Sequence, residues 1–337
     1  MKKTMLFIIL LFVFSAQLFS LDIKNGKMRL LLDEKTGRFS VYYLSDAVKN
    51  KYISLLYEQE TRTSYASLNY DGKSYKLGDA SEFKVSVSRK DNDVIVEYKS
   101  SFCVVKLNFS FVSFSGTGVM DALLMHFSME NVSDKNASIG LRTLYDTWLG
   151  EKSAAHFYVS SGGPLSSETI LDGDYTDLWL RSMEKQDSND VMQVLLGSPA
   201  TRPDKVIAAN WKRLNDSNWT VEKGVSRGFT MLPYSINDSA VALFYEPKVI
   251  RPGANRDVKI IISGLNDIYK EGSEIPAAVL EASLPKDNAP LNALSDLVAV
   301  RALLDAIDAA LINVPSEAEL SALRDSLERL EARQRKY

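Results

Sequence analysis

From Leu21 to about residue 285, apolar residues in this chain recur at every second position; from Leu291 they recur at every third or fourth. A period of two places alternate side chains on opposite faces of a strand, whereas three-four spacing gathers them on one stripe of a helix. The chain is therefore expected to be mainly β, a large antiparallel β-sandwich followed by a C-terminal helical hairpin. Met28, Leu30 and Leu32 alternate, Asp33–Gly37 reads as a turn, and Phe39, Val41 and Tyr43 alternate again. Val94, Val96 and Tyr98, the run Cys103–Phe111, and Leu123, Met125, Phe127 and Met129 repeat the scheme. So do Val241, Leu243 and Tyr245, and then Val258, Ile260 and Ile262. Turns such as Asp71-Gly72 and Asn237-Asp238 separate them. No helical pattern alternates with the strands, which argues against a parallel α/β sheet.

The first 20 residues have another character. Lys2 and Lys3 precede an apolar run from Met5 to Phe14, and small or polar residues follow to Ser20. This is the make-up of an export signal, and the run is shorter than the roughly 20 residues of a membrane span. The expected organisation is a signal peptide over 1–20, a β-sandwich domain over 21–286 and a helical segment over 287–337. That places the protein in the periplasm or outside the cell, with no transmembrane span after signal cleavage. Loss of the two lysines would take the net charge from −3 to about −5, which disfavours nucleic acid as a partner. A single cysteine, Cys103, excludes an internal disulfide framework. Its place in an apolar alternation makes it a small inward hydrophobe rather than a reactive thiol.

Between about 150 and 235 the rhythm loosens, and all four tryptophans fall in or beside this stretch. Rings stack on sugar faces and carboxylates bind hydroxyls or move protons. Trp148 with Asp146 and Glu151, joined by Trp179 and Trp211, is thus a candidate carbohydrate site. The alternative is ordinary core tryptophans beside solvated acids. Asp172, Asp174 and Asp177 could offer three oxygens to calcium, though a polar Asp-Gly turn explains them as well. The only histidines are His126 and His156, and nothing in the spacing pairs them as an acid–base couple. No nucleophile elbow, zinc helix or phosphate loop occurs, and no cofactor is expected.

In the tail, Leu297, Leu304 and Leu311 lie on one stripe with Val300 and Ile307. After Pro315, Ser316 and Glu319 form a capping box, and Leu320, Leu323, Leu327 and Leu330 continue the stripe. A charged outer face accompanies it. Such a stripe packs on the body or on itself, or it contacts another protein in the manner of a short coiled coil.

Several patches together resemble a known group. They are Asn25-Gly26-Lys27-Met28-Arg29-Leu30 with Thr36-Gly37-Arg38-Phe39, the stretch from Gly140 through Tyr145-Asp146-Thr147-Trp148 to Gly150, and Asn237-Asp238-Ser239-Ala240-Val241 leading to Pro247, Pro252-Gly253 and Arg256. Spread over roughly 24–266, they resemble large exported bacterial β-sandwich domains, similar to the supersandwich of galactose mutarotases and sugar-binding modules. The resemblance implies a fold rather than an activity. The expectation is an exported, non-enzymatic scaffold or binding protein of the cell envelope. It would contact another envelope protein, or a second copy of itself, through residues 287–337. The alternative is a carbohydrate-binding or carbohydrate-active protein with a glycan at the Trp-rich loops.

Overall fold

The computed structural model describes residues 20–264, apart from 58–60, 91, 116–118, 185–189, 218 and 222–226, together with Arg324 and Leu327. The chain divides into two compact units, Met1–Ala282 and Ser283–Tyr337. The expected export signal lies outside the described residues, as do Leu297, Leu304, Leu311, Leu320, Leu323 and Leu330 of the tail. Arg324 and Leu327 are helical, and Leu327 is 47% exposed.

The alternating segments all form strands. A four-stranded sheet holds β1 (Ser20–Asn25), β2 (Met28–Asp33), β3 (Phe39–Asp46) and β4 (Lys51–Ser54) in sequence order. There follow β5 (Tyr65–Tyr70), β6 (Lys73–Lys76), β7 (Lys84–Lys90), β8 (Asp93–Lys99), β9 (Cys103–Val112), β10 (Ala122–Asn131) and β11 (Ala137–Thr147). Short strands β12 (Phe157–Val159), β13 (Gly163–Leu165), β14 (Thr169–Asp172), β15 (Trp179–Met183) and β16 (Val191–Leu195) occupy the stretch where the rhythm loosens. Then come β17 (Lys205–Asn210), helix α1 (Trp211–Asp216), β18 (Ser239–Ile250) and β19 (Asn255–Ser263).

These build a nine-stranded sheet in the order β13-β12-β15-β16-β19-β10-β9-β8-β7 and a six-stranded sheet in the order β14-β17-β18-β11-β5-β6. Both are antiparallel throughout. Their inner faces share one apolar cluster that includes Phe109, Leu123 and Ile260 of the larger sheet with Leu141, Tyr145 and Leu243 of the smaller. The Tyr145 hydroxyl reaches Met125 Sδ at 3.9 Å, and the Arg256 guanidinium donates to the Ile139 carbonyl, so polar contacts also tie the two sheets. The four-stranded sheet adds Leu30, Val41 and Phe39, whose ring meets Phe109 edge-on at 5.0 Å. This is the face-to-face packing that two-fold alternation requires. Cys103 is buried, and burial pushes its thiol up to about 12.

The six-stranded sheet also carries a second, smaller apolar cluster on its outer face, formed by Tyr65, Leu144, Ile207, Ala209, Leu214, Ala240, Ala242 and Phe244. Helix α1 covers it with Leu214, and Trp219 lies over Gly140, where an added Cβ would fall 3.0 Å from the indole. The helix is capped at its start by Asn210, whose side chain accepts the Arg213 N–H. A central strand covered on both sides has little room to relax. Leu243→Ala, in the fully buried middle of β18, should cost about 2–5 kcal/mol of stability, read as a lower urea midpoint at unchanged slope.

Candidate functional site

The outer face of the six-stranded sheet holds two groups of polar side chains, one on either side of the α1 contact. The first sits where β11 ends and β18 begins. Their register pairs Asp146 with Ala240 and Thr147 with Ser239, so Asp238 enters beside Asp146. A turn closed by the Glu151 N–H on the Trp148 carbonyl (3.1 Å) folds Glu151 back, and its Oε1 accepts the Ser239 N–H at 3.2 Å. One carboxylate oxygen each from Asp146, Glu151 and Asp238 then lies within 4.8 Å of the others. The backbone of Asp146 is fixed too: its N–H donates to Ser64 Oγ at 3.0 Å and its carbonyl accepts the Tyr57 N–H at 2.9 Å.

Burial dominates the electrostatics of this trio. It pushes Asp146 up to about 7, opposed by the Thr63 hydroxyl and reinforced by Asp238. It pushes Glu151 up to about 8, opposed by the Ser239 N–H and reinforced by Asp146 and Asp238. Asp238 is raised for the same reason, with Ser235 opposing. Three acids so close cannot all ionise, and they share protons around neutrality. Such carboxyls can donate or accept a proton at working pH. As ligands for a hard cation they supply three oxygens where calcium takes six to eight.

Trp148 and Trp211 lie in this neighbourhood, and both indole N–H groups are used by the frame. Trp148 Nε1 donates to the Ser54 carbonyl at 3.0 Å. Trp211 Nε1 donates to the Thr63 carbonyl at 3.0 Å, while its backbone N–H meets the Asp238 carbonyl at 3.1 Å. Trp179 belongs to β15 on the other large sheet, with the Arg181 guanidinium 4.0 Å from its ring. Asp146 and Glu151 are thus brought together with Asp238, whereas Trp148 packs against the shared core, Trp211 against the outer cluster, and Trp179 lies on the other large sheet.

Asp172, Asp174 and Asp177 are likewise not gathered. Asp172 and Asp174 are exposed, whereas Asp177 is buried and accepts the Ser161 N–H at 2.7 Å and the Ser160 hydroxyl at 3.3 Å. The inward acid of this loop thus ties it back to Ser160 and Ser161. The histidines have separate partners: His126 Nε2 lies 2.8 Å from Asp257, and His156 stacks on Phe229 at 4.3 Å. Burial holds His156 down at about 4, so it is neutral.

The second group forms a pocket of about 230 Å³ lined by Tyr65, Ser67, Ser74, Lys76, Arg142, Asn215 and Ser217. Its floor is Arg142, 2% exposed on β11. Arg142 Nη1 donates to the Ser217 carbonyl at 2.8 Å, and Nη2 to the Leu214 carbonyl at 2.6 Å and Ser217 Oγ at 3.3 Å. The guanidinium therefore satisfies carbonyls at the C-terminal end of α1, where cations are favoured. Register carries the pocket wall outward: Ser67 of β5 faces Arg142 on one side and Lys76 of β6 on the other. The Tyr65 hydroxyl donates to Asn215 Oδ1 at 3.1 Å. The one sequence signal for this pocket is an arginine at an outward position in the middle of a strand, between Leu141 and Thr143. Asp238 was hidden inside a turn dipeptide.

The trio has a pH consequence. Asp146 and Glu151 titrate higher in the folded chain than in the unfolded one, so the folded chain holds protons that the unfolded one releases. Their contribution to stability is full below about pH 4 and is lost as pH rises toward about 7 to 8. Asp146→Asn should therefore be more stable than the parent at pH 8.5, by about 1–3 kcal/mol, and should gain nothing at pH 4. Thermal melts across this range would show the two curves converging toward acid; parallel curves would refute the shift.

No family model matches the chain, and no curated protein matches it. Among solved structures, the chain is similar to a galactose mutarotase-like protein from Lactobacillus casei at 11% identity, covering 72% of this chain and 99% of that one, with a TM-score of 0.45. An aldose epimerase homologue from C. elegans gives 10% identity, 72% and 98% coverage and a TM-score of 0.44. A TPR-domain-containing protein from Parabacteroides distasonis gives 10% identity, 80% and 50% coverage and a TM-score of 0.48. What this chain does must be argued from its own side chains.

Proposed function

We propose that the protein is an exported carbohydrate-binding domain that holds a sugar against the outer face of its six-stranded sheet. One observation carries the reading: all seven residues lining the pocket over Arg142 are hydrogen-bonding residues. Most small-molecule pockets are largely apolar with a few polar anchors. A wholly polar one suits a ligand whose own surface is mostly hydroxyl. Serine hydroxyls and the asparagine amide both donate and accept, as sugar hydroxyls do. The size suits one sugar residue. The Asp146–Glu151–Asp238 trio on the same face, whose carboxyls are all raised by burial, gives a second set of groups able to exchange hydrogen bonds with hydroxyls. Export is supported by the basic start and the apolar run from Met5 to Phe14. A glycan array read by tryptophan fluorescence tests the reading. Saturable binding of at least one saccharide is expected, weakened about 5- to 20-fold in Asn215→Ala. A flat array would end it.

A second reading is favoured by Leu327. The three-four leucine spacing of the tail, of which Leu327 is 47% exposed on a helix, supports the tail as a contact arm for an envelope protein or a second copy of the chain. Leu327→Glu should then lower the molar mass seen by light scattering, or release a co-purifying partner. An unchanged profile would remove the arm.

A further inference from the structure

The pocket over Arg142 is unbalanced in charge. Arg38, Lys76 and Arg142 converge on the Tyr65 side chain: Lys76 Nζ lies 3.8 Å and the Arg38 guanidinium 5.1 Å from its ring, and Tyr65 is the group that most favours charge on Arg142. Arg38 and Arg142 are each 2% exposed. Among the described residues, one carboxylate stands against these three cations, Asp79, 2.9 Å from Arg38 and 3.5 Å from Lys76. Asp79 is half exposed, so solvent screens it. Among the described residues Arg142 has no carboxylate partner; its bonds go to two carbonyls and a hydroxyl. The Nε atoms of Arg142 and Arg38 are buried without a hydrogen-bond partner. Burial lowers the Lys76 ammonium from its ordinary value, and the Arg38 and Arg142 charges lower it further while Asp79 opposes.

A purely structural role explains part of this. Clamping the end of α1 accounts for Nη1 and Nη2 of Arg142. Lys76 pairs with Asp79 and lies over the Tyr65 ring, yet it stands at the rim beside two further cations that a neutral side chain would avoid. Buried positive charge is costly until something of opposite sign approaches.

Resting on the reading of this pocket as a saccharide site, we infer that the sugar it takes is anionic, its ring carrying a carboxylate or a phosphate that lies against Lys76 within the field of Arg142 and Arg38. The ring hydroxyls then meet Ser67, Ser74, Asn215 and Ser217. A neutral sugar would leave the cations as they are, whereas an anionic one neutralises them and turns the hydrogen bonds at Lys76 into charge-assisted ones.

Calorimetry on the full chain separates the possibilities, with glucuronate, galacturonate and glucose 6-phosphate set against glucose, galactose and inorganic phosphate. At least one charged sugar should bind about tenfold tighter than its neutral parent, and the preference should shrink as salt is raised. Which one binds distinguishes carboxylate from phosphate. Lys76→Gln, on an edge strand, should weaken the charged sugar about tenfold more than it weakens the neutral parent, so that the preference is lost, with melting curves read alongside to register any change in the fold. Asp79→Asn removes the competing carboxylate and should tighten the charged sugar about threefold or more, a gain that damage to the fold would not produce. Equal binding of neutral and charged sugars would overturn the inference and leave the saccharide reading standing. Inorganic phosphate binding as tightly as glucose 6-phosphate, with no uronate bound, would overturn it in favour of a bare-anion site. Silence from all six ligands would sink both readings.

Discussion

A guanidinium almost wholly removed from water, with no carboxylate against it among the described residues, is a demanding thing to build into a sheet. Arg142 sits in the middle of β11, between Leu141 and Thr143, and its charge is met by neutral oxygens. The end of α1 provides them through the carbonyls of Leu214 and Ser217. That requirement fixes where a six-residue helix, too short to hold itself together, must lie. Once the helix is placed, Leu214 closes the outer apolar cluster, Asn215 meets Tyr65, and a gap is left between helix and edge strands. The pocket follows from how one cation is accommodated.

The two faces of the six-stranded sheet divide their tasks. Inward, Leu141, Tyr145 and Leu243 join the shared core, which supplies most of the stabilisation an antiparallel sandwich has. Outward, only a central strip is apolar, and polar side chains occupy both flanks. At one flank, acids are crowded and hold protons; at the other, three cations are crowded around the single described carboxylate of Asp79. Helix α1 lies between them. Asp146 and Arg142 are four residues apart on one strand, roughly 13 Å, so the two flanks act as separate neighbourhoods.

Much of the fold was legible in the sequence because strand rhythm is local. Met28–Leu32, Cys103–Phe111 and Val258–Ile262 announce themselves by alternation, and all are strands. Which strands pair was not legible: β11 lies between β5 and β18, partners far away in the chain that no periodicity links. Helix α1 was missed because six residues are too few to show a period. At the site, Asp146 and Glu151 with Trp148 could be singled out, since the chemistry of neighbouring side chains is visible in a string. Asp238 reads as half of a turn until the register of β11 and β18 brings it beside Asp146. Arg142 is the instructive case. A charge at an alternating position ordinarily means solvent, and only the helix laid over it turns exposure into burial.

The sheet edges have a consequence for how the molecule lives beside its copies. β6 and β7 end the two large sheets, and Lys73 and Lys76 on one and Lys84, Arg89 and Lys90 on the other put positive charge along both open rims. An unpaired rim is a template for runaway strand addition, and lysines are a common guard against it. Lys76 belongs to this guard as well as to the lining of the pocket, so loss of its charge would also weaken a barrier to fibre growth.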